Sequence, residues 1–187
     1  MMKTVVLIVS LMFCSFVSFG QTENDSTEMK EFKIEEIEFP GTTYYGIKHS
    51  LKFTEITSEL YAETYGKLGA FCGKNEIQMA GMPVAFELNV NMEDSSMVLM
   101  PAFPVVVGDK EIELTDGIEQ IDVSICNAVV VHYYGPYEGM ELAFKQARAY
   151  IKEKGYTSSS VMDEFVTDPT TVESMDQALT KIYFFLD

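Results

Sequence analysis

The chain has 187 residues and carries 29 acidic against 13 basic side chains, a formal net charge of −16. Negative charge in such excess repels phosphate backbones, so nucleic acid is excluded as an expected partner. A hydrophobic content of 47% is ordinary for a globular protein, and the length suits one domain with a sizeable core. The acidic surface favours solubility, and it would also draw cationic ligands toward the protein.

The first twenty residues predict an export signal. Lys3 gives a short positive start, an apolar run follows, and Ser18 and Gly20 occupy the small-residue positions of a cleavage site. The run is shorter than the about 20 apolar residues that a membrane-spanning helix needs, so no span is expected after cleavage. We expect a signal peptide over 1–20, a disordered leader over 21–31 and a periplasmic or secreted domain over 32–187.

Two cysteines, Cys72 and Cys126, remain after the expected cleavage. An oxidising compartment would permit a bridge between them, but a domain of this size does not need one. Their spacing matches no zinc or redox motif. We therefore prefer two buried thiols, and a disulfide between them is left as an open alternative.

The first half of the domain predicts the order strand, strand, helix, strand, strand. Apolar and charged residues alternate over 33–39, and a Pro-Gly turn follows. Thr54 can cap the helix, and Gly69 and Gly73 can end it. One apolar stripe runs along the helix at Ile56, Leu60, Thr64 and Leu68. The strands are expected over 33–39, 42–48, 83–90 and 97–107.

After a polar joint over 108–117 the order strand, helix, strand, strand begins again. Gly135-Pro136-Tyr137 opens a second helix, and Gly155 ends it. Its apolar face consists of Met140, Ala143, Phe144, Ala147 and Ile151. The strands of this half are expected over 126–134, 161–167 and 179–186.

The two halves share local sequence as well as order. Tyr44-Tyr45-Gly46 recurs as Tyr133-Tyr134-Gly135 where a strand ends, and Phe86 and Phe165 each follow a helix. One unit alone would expose a face of its sheet, so two must pack together. We predict an α+β fold of two pseudo-symmetric βαββ repeats, 32–108 and 118–187, with antiparallel sheets and a shared central groove.

Three ordered motifs in the second half carry a family resemblance. Gly135-Pro136-Tyr137-Glu138, the run 163–169 and the run 179–184 together resemble the GyrI-like small-molecule-binding family, which includes effector-binding domains of AraC-type regulators. The resemblance implies paired βαββ units and a groove for hydrophobic, often cationic, compounds. It also implies aromatic groove walls, a buried carboxylate, and a relationship to hydrolases that act on strained electrophiles.

The acids of this chain depart from the pattern that the resemblance implies. The family's most informative acid lies in the last strand, where this chain has Lys181. A second family acid maps to Asp163, which should share a strand face with Phe165 and oppose its neighbour Glu164. Asp163 could instead be solvated, or it could pair with Lys181 across adjacent strands and favour a neutral apolar ligand.

Aromatic residues and these two charges make up the predicted ligand-binding set. The tyrosines could present rings to a ligand or simply pack in the core. His132 has no second histidine nearby in sequence, so neither a metal nor a cofactor is assigned, and no catalytic residue is assigned. The candidate set is Tyr44, Tyr45, Phe86, Tyr134, Tyr137, Asp163, Phe165, Lys181 and Tyr183.

The leading hypothesis is the binding of amphipathic or hydrophobic small molecules, for sensing or sequestering a toxic compound. A hydrolase is the second hypothesis, with Asp163 or Glu164 as base and a tyrosine as acid. A third makes the domain an acidic protein-interaction module. The oligomeric state is left open.

Overall fold

A computed structural model describes residues 31–108 and 112–187. The expected signal peptide, almost all of the expected leader and part of the polar joint lie outside the described residues. The strands are β1 Lys33–Phe39, β2 Thr42–Ile47, β3 His49–Lys52, β4 Val84–Asn91, β5 Ser96–Val105, β6 Ile118–Val123, β7 Cys126–Tyr134, β8 Ser158–Phe165 and β9 Leu179–Leu186. The helices are α1 Ser58–Lys74 and α2 Met140–Glu153.

The described strands form one antiparallel sheet in the order β1-β7-β9-β8-β4-β5-β2-β6, and β3 pairs with β5 beside β2. Each half contributes a helix and three strands in matching positions, β2-β5-β4 on one side and β7-β9-β8 on the other. Strands β4 and β8 join the halves at the centre of the sheet. The α+β fold expected from the sequence is confirmed.

The two outermost strands are exchanged between the halves. Strand β1 pairs with β7, while β6 pairs with β2, so neither strand pairs with its neighbour in sequence. The connections cross at a tight point, because a Cβ on Gly41 would lie 3.1 Å from the Ile125 amide nitrogen. Each half therefore depends on the other for one of its strands.

Helix α1 begins later than the sequence analysis predicts. Thr57 is the cap, and its hydroxyl accepts a hydrogen bond from the Leu60 amide at 3.2 Å. Thr54 instead lies in a short 3₁₀ turn, and Gly69 and Gly73 lie inside the helix. The apolar stripe explains the extension, since packing of Leu68 and Cys72 on the sheet holds the helix past both glycines.

Helix α2 confirms its predicted face. Met140, Ala143, Ala147 and Ile151 are buried, and Phe144 is half-buried against Phe184. The backbone at Gly155 has a φ of +74°, which ends the helix as expected.

The core has two layers, one on each face of the sheet. On the helix-bearing face, α1 packs on β5 and β2, and α2 packs on β7. The opposite, inner face carries a cluster made of strand residues alone, so the sheet encloses it without help from a helix. The inner cluster comprises Phe39, Tyr44, Val84, Phe86, Met100, Ala102, Ala128, Val130, Met162, Tyr183 and Phe185.

The two cysteines lie in different layers and are free. Cys72 belongs to α1 and is buried against the helix-bearing face of the sheet, and Cys126 packs against the inner cluster. Burial raises the pKa of both thiols, which lowers their reactivity at neutral pH. Within residues 31–108 and 112–187, no helix is long and apolar enough to span a membrane.

Candidate functional site

The two helices lie on either side of the central strands, and we call the region between them, over the middle of the sheet, the groove. Because α1 and α2 pack on outer strands, the central strands β4 and β8 form its floor. Residues 85 and 87 of β4 and residues 161, 163 and 165 of β8 point to this side. The groove is the place where both halves of the domain contribute side chains.

Asp163 is a buried carboxylate in the floor of this groove. Its side chain is 6% exposed, and its Oδ1 atom has no hydrogen-bond partner among the described residues. Burial, and then the neighbouring Glu87, hold the pKa of Asp163 well above its ordinary value. A buried carboxylate without a partner is costly in its charged form, so the site favours either a proton or a cation there.

Glu87 is the second carboxylate of the floor. Asp163 stands opposite Ala85 and Glu87 stands opposite Val161, so the two acids occupy diagonal positions on one face of adjacent strands. Such positions lie about 7–8 Å apart. Burial raises the pKa of Glu87, and the positive charge of Arg148 on α2 opposes that shift.

Aromatic rings close over Asp163. Phe165 lies edge-on to Tyr61 at 5.8 Å and to Tyr137 at 5.6 Å between ring centroids. Tyr61 stacks on Tyr65 at 6.1 Å, and the Tyr65 hydroxyl donates to the Val84 carbonyl oxygen at 2.7 Å. Burial raises the pKa of Tyr61, and the charge of Asp163 raises it further. The acid is therefore surrounded by ring surfaces, which attract cations.

The loop before α2 fixes the position of Tyr137. The Tyr133 hydroxyl donates to the Pro136 carbonyl oxygen at 2.6 Å and fills the space between two glycines. Gly135 has a φ of +150°, and a Cβ on Gly139 would overlap the Tyr133 hydroxyl. The Gly-Pro-Tyr-Glu-Gly segment thus folds around the Tyr133 side chain and presents Tyr137, which is 42% exposed, at the rim of the groove.

Three residues of the predicted ligand-binding set lie outside the groove, in the inner cluster. Tyr44 packs edge-on against Phe86 with centroids 5.0 Å apart, and Tyr183 packs against Phe39 at 5.8 Å. Burial raises the pKa of Tyr44 to about 12. These rings fill the space enclosed by the sheet and are core residues in this structure.

Lys181 does not pair with Asp163. Lys181 lies on the inner face, where its Nζ is 4.0 Å from Glu164 Oε2, while Asp163 faces the helices. The same Glu164 oxygen accepts a hydrogen bond from the Tyr183 hydroxyl at 2.7 Å. Lys181 therefore offsets the charge of Glu164 and leaves that of Asp163 unopposed.

The two remaining predicted tyrosines stand apart from Asp163. Tyr45 is buried between the sheet and α1, beside Phe71 at 6.3 Å. Tyr134 is 47% exposed at the end of β7. Of the predicted set, the structure thus brings together Tyr137, Asp163 and Phe165.

Sequence reasoning missed Glu87, Tyr61 and Tyr65. Each carries a readable signal: Glu87 is a single acid inside an apolar strand. Tyr61 and Tyr65 are four residues apart on α1, beside its apolar stripe, which places them on one flank of the helix.

No protein-family profile matches the sequence, and no curated protein is similar to it in sequence. Solved structures do match. The C-terminal domain of EcmrR superposes with a TM-score of 0.70 at 15% identity, over 84% of this chain and 99% of that domain. The chain has the fold of that domain.

Two further solved structures share the fold. SAV2435, solved with tetraphenylphosphonium bound, gives a TM-score of 0.54 at 12% identity, over 84% of this chain and 94% of its own. A hydrolase from Listeria innocua superposes with a TM-score of 0.58 at 10% identity, over 83% of this chain and 92% of the hydrolase. At 10–15% identity, these superpositions establish a shared fold.

Proposed function

We propose that this protein binds hydrophobic organic cations in the groove between α1 and α2, with Asp163 as the counter-charge. The observation that carries the proposal is the unpartnered Oδ1 of Asp163 beneath the rings of Tyr61, Tyr137 and Phe165. A ligand of this class supplies the positive charge that the site lacks and apolar surface for the rings.

The electrostatics favour a delocalised cation over a small, strongly hydrated one. Transfer of a charge into a buried site costs hydration free energy, and this cost is lower when the charge is spread over a large apolar ion. Glu87, diagonal to Asp163, adds negative potential to the same floor. The groove therefore favours ligands that are both positively charged and weakly hydrated.

A ligand must displace rings to reach Asp163. Tyr137 is partly exposed and rests on Phe165 through ring contact, so its side chain can swing toward solvent without breaking a backbone hydrogen bond. Tyr65 is tied to Val84 and stays as a wall. The fold shared with SAV2435, which was solved with tetraphenylphosphonium, supports this choice of ligand class.

The test is equilibrium binding of tetraphenylphosphonium, measured by isothermal titration calorimetry. We expect saturable binding by the wild type and a loss of about 30-fold or more in Asp163→Asn, since removal of one partner of a buried charge pair costs about 2 kcal/mol or more. Glu164→Gln is the matched control. It makes the same change of charge at the next residue, on the opposite face, and should bind like the wild type.

Equal affinities in Asp163→Asn and the wild type would exclude Asp163 as the counter-charge. Loss of binding in Glu164→Gln alone would move the site to the inner face, near Lys181 and Tyr183. Thermal unfolding of both variants should confirm that each is folded.

A hydrolase remains the second candidate, because a buried carboxyl with a raised pKa can act as a general acid. The raised pKa disfavours Asp163 as a base at neutral pH, and Glu164 is hydrogen-bonded by Tyr183 on the other face. Turnover of an epoxide-bearing hydrophobic substrate that disappears in Asp163→Asn would favour this function.

We further propose that the protein works after export, as the N-terminal sequence predicts. Ligand sensing and ligand sequestration are both compatible with a binding site of this kind. N-terminal sequencing of the protein purified from the periplasm or the medium tests this proposal. If the first twenty residues are still present, the predicted cleavage does not occur.

A further inference from the structure

An open cleft of about 720 Å³ lies between α2 and the central strands, next to the end of the groove that the aromatic rings close. Its lining includes Glu87, Asn89, Arg148, Lys152, Tyr156 and Ser158. Glu87 therefore marks the point where the closed, acidic end meets the open one.

Irregular strands shape this cleft. The pairing of β4 with β8 ends at Glu87 and Val161. Just past this point, β4 shifts register against β5, with Asn89 at a φ of +48°, and β8 shifts register against β9 between Ser158 and Ser160. Bulges of this kind leave residues out of the ladder and are frequent beside functional sites. Polar backbone and hydroxyl groups are thus brought to the floor of the cleft.

Helix α2 brings positive charge to the cleft in an otherwise acidic protein. Arg148 and Lys152 are four residues apart, which places both on the side of α2 that borders the cleft. The Arg148 guanidinium lies over the Phe144 ring at 5.7 Å, and its charge acts on Glu87 without forming a direct ion pair with it. Along the groove the charges thus run from negative, at Asp163 and Glu87, to positive.

We propose that the cleft is a second subsite, which holds a carboxylate or similar anionic group on Arg148 while the cationic centre of the same ligand lies at Asp163. The preferred ligand is then a hydrophobic zwitterion. This inference rests on the proposed function, and it adds that the ligand has two charged ends. Guanidinium groups suit the role because they bind carboxylates through two parallel hydrogen bonds.

The test compares two phosphonium probes of nearly equal size. The two probes are pentyltriphenylphosphonium and carboxybutyltriphenylphosphonium. The alkyl chain ends in a methyl group in the first probe and in a carboxylate in the second. Calorimetry at neutral pH should show about fivefold tighter binding of the carboxylate probe to the wild type, the size expected of a partly exposed charge pair. Arg148→Gln should remove this preference and leave the pentyl probe unaffected.

Lys145→Gln is the matched control, since it makes the same change of charge on α2 at a residue outside the cleft lining. It should keep the preference for the carboxylate probe. Equal affinity of the wild type for both probes, or a preference that survives Arg148→Gln, would overturn the second subsite. If the pentyl probe binds and depends on Asp163, the proposed function stands in either case; if neither probe binds, both proposals fail.

Discussion

Asp163 and Glu87 set the energetics of the groove floor. Two carboxylates on one face of adjacent strands disfavour each other's charged form, and burial acts in the same direction. The free protein therefore keeps a proton on Asp163 to a higher pH than an unfolded chain would. The function proposed for the groove depends on exchanging that proton for a cation.

The first prediction concerns stability against pH. Because the folded protein holds this proton more tightly than the unfolded chain, the free energy of unfolding should fall as pH rises from the ordinary carboxyl pKa toward the raised one. Asp163→Asn should reduce this slope to the part that Glu87 contributes, and should be more stable than the wild type by about 1 kcal/mol or more at about pH 8. Urea denaturation between about pH 5 and pH 8 measures it.

The control for that series is Glu164→Gln, which makes the same change on the opposite face of β8, leaves Asp163 and Glu87 in place and should keep the wild-type slope. Parallel pH profiles for wild type and Asp163→Asn would contradict the assignment of the slope to Asp163.

The second prediction concerns ligand binding against pH. A cation binds the ionised form of Asp163, so affinity for tetraphenylphosphonium should rise about tenfold per pH unit below the raised pKa and level off above it. Proton release, measured by calorimetry in buffers of different ionisation enthalpy, should accompany binding. Affinity that is constant from about pH 5 to pH 8, with no proton released, would contradict this account.

Strand alternation was sufficient to predict that Asp163 and Phe165 share a face, and that Glu164 opposes them. It could not tell which face of the sheet the helices cover, since both faces of this sheet are apolar. For that reason Tyr44, Phe86 and Tyr183 were expected at the ligand site and lie instead in the inner cluster. Only the structure shows that Lys181 lies on the opposite face of the sheet, where it cannot offset the charge of Asp163.

At the scale of elements, the turn before α2 is built around the Tyr133 side chain. The Tyr-Tyr-Gly repeat looks equivalent in the two halves, but its glycines serve different ends. Gly135 adopts a positive φ beside the Tyr133 ring, whereas a Cβ on Gly46 would meet the Pro101 carbonyl oxygen at 2.8 Å. The shared motif therefore marks close packing rather than a common turn.

The third prediction tests this turn. Gly139→Ala should destabilise the protein by about 1–3 kcal/mol, because its methyl group would overlap the Tyr133 hydroxyl that Pro136 holds. Gly66→Ala is the control: it lies in α1 with open space around it and should stabilise by about 0.5–1 kcal/mol. Chemical denaturation gives both values. If Gly139→Ala leaves the free energy of unfolding unchanged, the turn must rearrange to accommodate the added methyl group, and the prediction is wrong.

Other elements show where local sequence is insufficient. Strand β6 was not predicted, because the segment Ile118–Val123 is rich in acids and its apolar residues follow no regular period of two. Pairing with β2 makes it a strand, and the Thr43 hydroxyl donates to Asp122 at 2.6 Å across that pair. Long-range pairing of this kind is not encoded in the segment itself.

At the scale of the whole molecule, the exchanged strands join the two halves into one cooperative unit. Strand β1 completes the sheet of the second half, and β6 completes that of the first. The connection at Gly41, with a φ of +75°, passes directly against the backbone of Val123 and Ile125. The groove between the helices depends on this union, since each half supplies one floor strand and one wall.

The fourth prediction addresses that crossing. Gly41→Ala should cost more than the about 1–2 kcal/mol of a left-handed backbone alone, because its Cβ would also press on the neighbouring connection. Gly117→Ala is the control, with a φ of +76° and open surroundings, and it isolates the backbone cost. Unfolding of both variants should stay a single transition by circular dichroism and tyrosine fluorescence. Separate transitions for the two probes would contradict the cooperative union.

The most direct test of the account is to locate a bound cation in a crystal. Tetraphenylarsonium is a hydrophobic cation whose arsenic scatters anomalously, so its position can be read without interpreting weak density. If Asp163 is the counter-charge, one strong arsenic peak should lie on the helix-bearing face, within about 6 Å of the Tyr61 or Phe165 ring and beside the Asp163 carboxylate. A peak on the inner face near Tyr183 and Lys181, or no peak at a saturating concentration, would contradict the account.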